Sequence, residues 1–430
     1  MYYRFLKYIR EKKLFNSQDS ILLAVSGGRD SMFMADLFLH SVFNFGIIHF
    51  NHKTREGESD RDENFVKLYC EEKSIPFYSI QVDIKSLIKQ GRGNNFQDVA
   101  RRERYKWFEQ VRSNHGYDFI ATAHNSDDNI ETFLYKTISG AGLGGLQGIK
   151  PKLNKVVRPI LNISRAEIDE YILKNKIQYI EDSSNSSDKY SRNYLRHRII
   201  PELKKMNNNF EKQILVTINN LSGAYNSLNF LLEKQFKNHI TEKGRKIFVS
   251  KAALTQVDDN IDVIYYLFSK YNFNIAQITD MIKSKNNTGN IYLSNSHELL
   301  VDRENIIIRK LSSVSTKQYL INEGTNEIDN LGLLKILLMK NNENIQFDQS
   351  KKYIDVDKLK FPLTLRKWQA GDRFKPFGLK GKTKKIKKYL IDKKVNKFDK
   401  EETYVLLSQN EICYVMHSDI SYDFRITDTT

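Results

Sequence analysis

Residues 25–31 read V-S-G-G-R-D-S, closing a short apolar run (Ile21–Val25) and opening a stretch with helical apolar spacing. These residue types suit an anion. Gly27 and Gly28 let the backbone approach a charged group closely and adopt φ > 0. A helix starting just after them offers free N–H groups and the positive end of its dipole. Ser26 and Ser31 add hydroxyls, and Arg29 stands between them. The loop lacks the lysine of a G-x-x-x-x-G-K-[ST] phosphate loop. Asp30 is out of place beside an anion unless a metal ion bridges the two, which makes it a candidate Mg2+ ligand. A plain Ser/Gly turn with Asp as a helix cap is the competing explanation.

Further blocks carry chemistry. "HFNHKTRE" sets His49, Asn51, His52 and Arg55 after an apolar run. In "NNFQDVARRERYKWF", Arg101 and Arg104 stand three apart, share a helix face and can reach a phosphate. In "TAHNSDDNIETF", Asp128 and Glu131 are spaced the same way behind His124, and the three make a candidate pocket for an ammonium group. Acids in a first turn are favoured by the helix dipole in any case. Gly140, Gly142, Gly144, Gly145 and Gly148 follow as a flexible loop. "SRNYLRHR" packs Arg192, Asn193 and Arg196 beside His197 and Arg198, too densely charged for a core and suited to phosphate contact. Near the end, residues 381–400 hold nine lysines against two aspartates. Arg373, Lys384, Lys385, Lys387 and Lys388 are candidate RNA-backbone contacts there, of the kind that position rather than specify.

The elements that must hold these residues read as alternating β and α segments over the first ~200 residues. Strands are expected at Ile21–Val25, Phe45–His49, Phe77–Val82 and Phe119–Ala123. Helices are expected at Ser31–His40, Asp60–Lys73, Asn95–Ser113 and Asp127–Thr137. The pattern predicts an α/β fold: an N-terminal parallel sheet with helices on both faces, with the motifs beyond its strands' carboxyl ends. A helix-rich middle domain and a small α+β C-terminal domain follow. The expected boundaries are 1–210, 211–345 and 346–430.

The 430-residue chain has a net charge of +16 and a pI near 9.4, which favours a polyanionic partner such as nucleic acid. Two cysteines, Cys70 and Cys413, exclude a disulfide framework and any C-x-x-C site. The charged N-terminus has no apolar signal region, and no apolar run approaches the ~18 residues of a membrane span. A cytoplasmic monomer or homodimer without membrane contact is expected.

"SGGRDS" after an apolar strand resembles the PP-loop of ATP pyrophosphatases, which split ATP between its α and β phosphates; that resemblance accounts for the missing lysine. Sulfur-transferring members need reactive cysteines, and amidotransferase members need a glutaminase nucleophile; neither is visible. The blocks in this order, over roughly residues 19–201, together with "GDRFKPFGLKGKTKKIKKYLID" near the end, resemble the bacterial tRNA(Ile)-lysidine synthase family. The resemblance implies ATP with Mg2+, a tRNA(Ile) with a CAU anticodon, and L-lysine as nucleophile. It implies ATP binding by Ser26, Gly27, Gly28, Arg29, Asp30, Ser31 and His52. His124, Asp128 and Glu131 would bind lysine, with Asp128 or Glu131 as base. Asp30 and Asp128 are the metal candidates, and Arg101 and Arg104 would assist catalysis. Another PP-loop tRNA-modifying enzyme, such as a cytidine thiolase, and a non-catalytic tRNA-binding module are the alternatives.

Overall fold

The structure, a computed structural model, describes residues 1–53, 57–91, 95–181, 191–311, 317–328, 331–339, 351–427 and 430. The chain divides into two compact units, Met1–Leu231 and Leu232–Thr430.

The first unit opens with α1 (Tyr2–Glu11) and β1 (Ser20–Ala24), then α2 (Arg29–Leu39), β2 (Asn44–Asn51), α3 (Glu58–Glu72) and β3 (Phe77–Gln81). Next come α4 (Ile84–Lys89), α5 (Phe96–Asn114), β4 (Phe119–Thr122) and α6 (Ser126–Ile138). A hairpin of β5 (Lys152–Leu153) and β6 (Val156–Val157) leads to α7 (Arg165–Asn175). The strand order is β3-β2-β1-β4-β6-β5. All pairings are parallel except β5 on β6 at the edge. The order reverses at β1, so the loops after β1 and β4 face each other at a switch point, where ligands of such sheets bind.

Both faces are covered, as expected for parallel strands. On one face, β1 residues Ile21 and Leu23 pack with Phe5 of α1, Phe33 and Phe38 of α2, Val66 and Cys70 of α3, and Ile168 and Ile172 of α7. On the other, Leu22 and Ile48 pack with Ile84 of α4 and Val99, Phe108 and Val111 of α5. The alternation of Leu22 with Ile21 and Leu23 is the period-2 signature of a strand buried on both sides. After α7 the chain forms α8 (Ser191–Tyr194), a π-helical turn (Leu195–Ile199), α9 (Ile200–Met206) and the long α10 (Phe210–Phe236). The expected boundary near residue 210 falls at the start of α10.

In the second unit, β7 (Ile240–Lys243), β8 (Lys246–Ser250), β9 (Ile291–Leu293), β10 (His297–Val301) and β11 (Asn305–Lys310) form an antiparallel sheet ordered β7-β8-β11-β10-β9. Three helices, α11 (Ala252–Thr255), α12 (Ile261–Ser269) and α13 (Ile275–Lys283), lie between its strands in sequence. A four-stranded sheet β12-β15-β18-β19 joins β12 (Tyr319–Ile321), β15 (Leu363–Lys367), β18 (Tyr404–Ser408) and β19 (Glu411–Val415). Two small hairpins add β13 (Gly324–Ile328) with β14 (Gly332–Ile336), and β16 (Arg373–Phe374) with β17 (Lys384–Lys385). The lysine-rich stretch folds as α14 (Ile386–Asp392) and α15 (Lys397–Glu401), burying Ile386, Tyr389, Leu390 and Phe398.

Arg309 explains why the middle sheet and the last segment make one unit. Its guanidinium lies 3.8 Å from the centre of the Phe398 ring and pairs with Glu298, Glu401 and Glu402 at 2.6, 2.5 and 3.1 Å.

The glycine-rich segment after α6 is pinned at one point. The Ile149 N–H donates to Asn129 Oδ1 at 2.6 Å, and Gly148 holds φ +66 so that it can. A Cβ on Gly148 would stand 2.2 Å from that oxygen. Gly148→Ala should therefore cost about 2 kcal/mol through left-handed strain and a lost buried hydrogen bond. That corresponds to a melting temperature lowered by ~4–8 °C in a thermal denaturation scan; an unchanged midpoint would contradict this account.

Candidate active site

The loop after β1 is braced from within. Gly27 adopts φ +90, and its carbonyl accepts from the Ile180 N–H at 2.9 Å. Ser31 Oγ donates to the Gly28 carbonyl at 2.7 Å and accepts from the Ser26 N–H at 3.2 Å. The Gly28 N–H donates to Ser26 Oγ at 3.3 Å. The serine hydroxyls thus hold the loop open at the N-terminus of α2, which carries no side-chain cap. Arg29 is turned to α7: it pairs with Asp169 at 2.8 Å and lies 5.0 Å from the Tyr179 ring centre.

Asp30, in the first turn of α2, meets the first turn of α6. Arg165 pairs with Asp30 at 2.9 Å. Arg196, in the π-helical turn, forks onto Glu131 at 2.5 and 2.9 Å and reaches Asp128 at 3.5 Å. Burial pushes the Asp30 carboxyl up to about 6, with the Asp128 charge adding to the effect and Arg165 opposing it. Burial likewise raises Asp128 and Glu131, against the pull of Arg196. Glu131 is 4% exposed. Asp30 Oδ1 is buried without a hydrogen-bond partner. The α6 turn is fixed by a capping box: Asn125 Oδ1 accepts from the Asp128 N–H, and Asp128 Oδ2 from the Asn125 N–H, both at 3.0 Å. Asp127 accepts from the Arg165 N–H at 2.9 Å, tying α6 to the start of α7. A cavity of about 270 Å³ beside the cluster is bounded by Arg29, Glu131, Arg165, Arg196, Lys204 and Glu211 among others.

The histidines lie in a different field. Burial, then the charges of Arg158, Arg101, Arg104 and Arg192, push His124 down to about 3. Its Nδ1 shares a hydrogen bond with Thr122 Oγ1 at 2.9 Å. His124 was expected with the acids; its surroundings are arginines. His52 is pushed down to about 4 by burial and Arg104, and its Nδ1 is buried without a partner. His49 is buried, and its Nδ1 donates to the Val25 carbonyl at 2.9 Å. Asn51 is a strut: its Nδ2 donates to Asp60 at 2.8 Å and to Glu63 at 2.9 Å. Arg55 lies outside the described residues.

Among the expected RNA contacts, Arg192 is exposed beside the Tyr135 ring, with Asn193 next to it. Arg196 is committed to the acids. Arg373, Lys385, Lys387 and Lys388 are exposed, whereas half-buried Lys384 pairs with Asp392. Arg158 and Arg165 were not singled out from sequence. Arg165 had a signal: a cation in the first turn of a helix opposes the dipole, which calls for an acid partner elsewhere.

A family model described as the PP-loop domain matches residues 2–203, and one described as the TilS substrate binding domain matches residues 242–311. A tRNA(Ile)-lysidine synthase from Parabacteroides distasonis is 32% identical over 429 residues, covering 98% of this chain and 96% of that protein. The proteins of that name from Bacteroides thetaiotaomicron and Clostridium acetobutylicum are 30% and 31% identical, covering 97% and 96% of their lengths and 99% and 98% of this chain. The chain belongs to the tRNA(Ile)-lysidine synthase family. As a member it is an ATP-using ligase of tRNA modification, and Gly27, Gly28 and Asp30 lie in its PP-loop domain. Among the described residues no helix of this family member is long and apolar enough to cross a membrane.

The Arg196–Glu131 fork makes a stability prediction. Arg196→Met leaves a buried carboxylate unpaired, which costs about 1–3 kcal/mol after allowing for the partial exposure of Arg196. Without the arginine the Glu131 carboxyl rises further, so the cost is larger at pH 8 than at pH 5, because acid favours the protonated, uncharged form. Urea denaturation at both pH values checks this, and adding Glu131→Gln should recover most of the loss at pH 8.

Proposed function

We propose that this family member ligates L-lysine to C2 of cytidine 34 in the CAU anticodon of tRNA(Ile) in two steps. In the first, the C2 carbonyl oxygen attacks the α-phosphorus of ATP and pyrophosphate leaves. In the second, the ε-nitrogen of lysine bonds to C2, the C2–O bond breaks, and AMP departs with the oxygen. The nucleoside formed, lysidine, pairs with A instead of G. The codon read changes from AUG to AUA, and the amino-acid identity from Met to Ile.

The observation that carries this reading is the meeting of Asp30 with Asp128 and Glu131 across the β1–β4 switch point. An acid from the ATP loop and an acid pair suited to an ammonium group share one cluster, so both half-reactions have their groups side by side. Lysine at a pKa of ~10.4 is only about 0.04% neutral at pH 7, so the second step needs a proton acceptor. Glu131 is assigned that role, because burial raises its proton affinity and Arg196 fixes its carboxylate plane. Arg104 lies close enough to depress both His52 and His124, and Arg101 close enough to depress His124; Arg104 is assigned to the α-phosphate and Arg101 to the RNA. A single-stranded anticodon loop suits the site, since its bases splay out readily.

Mg2+ fits Asp30 and Asp128. Among the described residues no group of three or more His, Cys, Asp or Glu side chains is arranged for a metal. Two carboxylates completed by phosphate oxygens are the ordinary Mg2+ pattern, and the unpartnered Asp30 Oδ1 is a ready donor. When bound, the ion spreads the negative charge of the phosphates. Residues 346–430 are assigned to gripping the tRNA body through exposed Arg373, Lys385, Lys387 and Lys388, 211–345 to linking that grip to the catalytic residues 1–210, and the whole to the cytoplasm. A thiolase reading is disfavoured: Cys70 and Cys413 are buried and each pushed up to about 12, so neither is a thiolate near neutral pH.

The test uses a CAU-anticodon tRNA transcript, ATP and labelled lysine, followed by nuclease digestion. Label in a modified cytidine is expected, and none would refute the reaction. With α-labelled ATP, Glu131→Gln should leave AMP on the tRNA while lysidine formation falls ~10²–10⁴-fold, the usual worth of a positioned base.

A further inference from the structure

A second cavity lies where α5 meets the β5–β6 hairpin and shares no lining residue with the cavity beside Glu131. It measures about 450 Å³. Arg101, Tyr105 and Glu109 of α5 form one wall, and Lys155 and Arg158 form the other, with apolar Ile120 and Val156 between them. Arg158 is 6% exposed. Its Nη1 donates to the Lys150 carbonyl at 2.7 Å, while its Nε is buried without a hydrogen-bond partner. The Tyr105 phenol faces the same guanidinium.

The charges in this cavity do not balance. Among the described residues no carboxylate lies within 4 Å of Arg101, Lys155 or Arg158. Arg101 instead lies 5.1 Å from the Tyr105 ring centre. Glu109, the acid on the wall, is bonded to Arg112 at 2.6 and 2.8 Å and acts on Lys155 only at longer range. A buried charge is normally paired, because leaving it unpaired costs several kcal/mol. Here a guanidinium with an unpartnered Nε is held next to two more cations, on an apolar floor that favours strong electrostatic contact. A guanidinium fork with an ammonium and a phenol beside it matches the oxygens of a phosphate group.

We propose that this cavity is a phosphate subsite of the N-terminal unit, separate from the loop at Gly27–Asp30, and that it takes a backbone phosphate of the RNA substrate. RNA is favoured over nucleotide because the open wall is the exposed Lys155 hairpin at the sheet's edge, and because the loop after β1 already offers a phosphate site. The choice of RNA rests on the function proposed above; the anion site rests on its own residues.

The test uses the full-length protein with Lys155→Glu and Arg158→Gln. Binding of the CAU-anticodon transcript is measured by filter retention across a salt series, and ATP binding by calorimetry. Lys155→Glu should weaken tRNA binding about tenfold near 0.1 M salt and lower the log–log salt slope by about one, with ATP affinity unchanged. Arg158→Gln should do the same; because it can also perturb folding, exposed Lys155 is the primary variant. A loss of ATP affinity with tRNA binding intact would keep the phosphate subsite and assign it to the nucleotide. Unchanged tRNA binding, salt slope and ATP binding in both folded variants would overturn it. If the wild-type protein made no lysidine while Lys155→Glu still lowered the salt slope of tRNA binding, the proposed reaction would be refuted and this subsite would stand.

Discussion

Three carboxylates from two helices, Asp30, Asp128 and Glu131, are gathered into one interior volume, and they stay there because Arg165 and Arg196 stay with them. Carboxylates brought together without cations repel one another and take up protons. Arg165 stands on α7, which packs Ile168 and Ile172 in one core with Phe33 and Phe38 of α2. Arg165 arrives because Asp127 accepts its backbone N–H and fixes the start of α7 against α6. Arg196 arrives on a π-helical turn, an irregularity found mostly at functional sites. Between α6 and α9 the chain thus supplies two guanidinium groups to acids that the sheet's switch point brings face to face.

The same logic explains which parts were legible in the sequence. β1, the loop and α2 could be read because a buried two-sided strand, two glycines and a helical repeat are local signals. The core helices α3, α5 and α6 followed from apolar spacing in the same way. What escaped was long-range. Arg29 stands in the phosphate loop, and Asp169, its partner, lies 140 residues further on. Arg196 reads as one of several exposed cations in "SRNYLRHR" until its turn is seen to face Glu131. Asn51 looks like a site residue beside two histidines but ties β2 to α3. The β5–β6 hairpin, with two residues per strand, is too short to leave a periodic trace, and it carries the chain to Arg158.

The histidines invert an ordinary expectation. A histidine beside acids is held protonated, yet His52 and His124 sit among arginines and are neutral at any physiological pH. They are therefore acceptors or single donors rather than cations. The positive charge of this side of the sheet is carried by Arg101, Arg104 and Arg158, which pH does not switch off. A site that must hold phosphates over a range of conditions gains from permanent charge, and neutral imidazoles can line it without adding repulsion among the arginines.

The acid cluster and the arginine field also resolve a tension in using lysine as a nucleophile. A pocket of bare carboxylates would bind an ammonium group well and, by raising its pKa, make it a poorer nucleophile. In this protein the acid charges are partly offset by Arg165 and Arg196. Arg196 keeps its full charge beside Glu131, so any amine that shares that carboxylate stands next to a cation, and a neighbouring cation favours the neutral amine. Recognition then comes from the geometry of the fork and the first turn of α6, while the electrostatic penalty on the free amine stays small. The ion pair that holds the fold together is therefore also the feature that sets how reactive the bound amine can be.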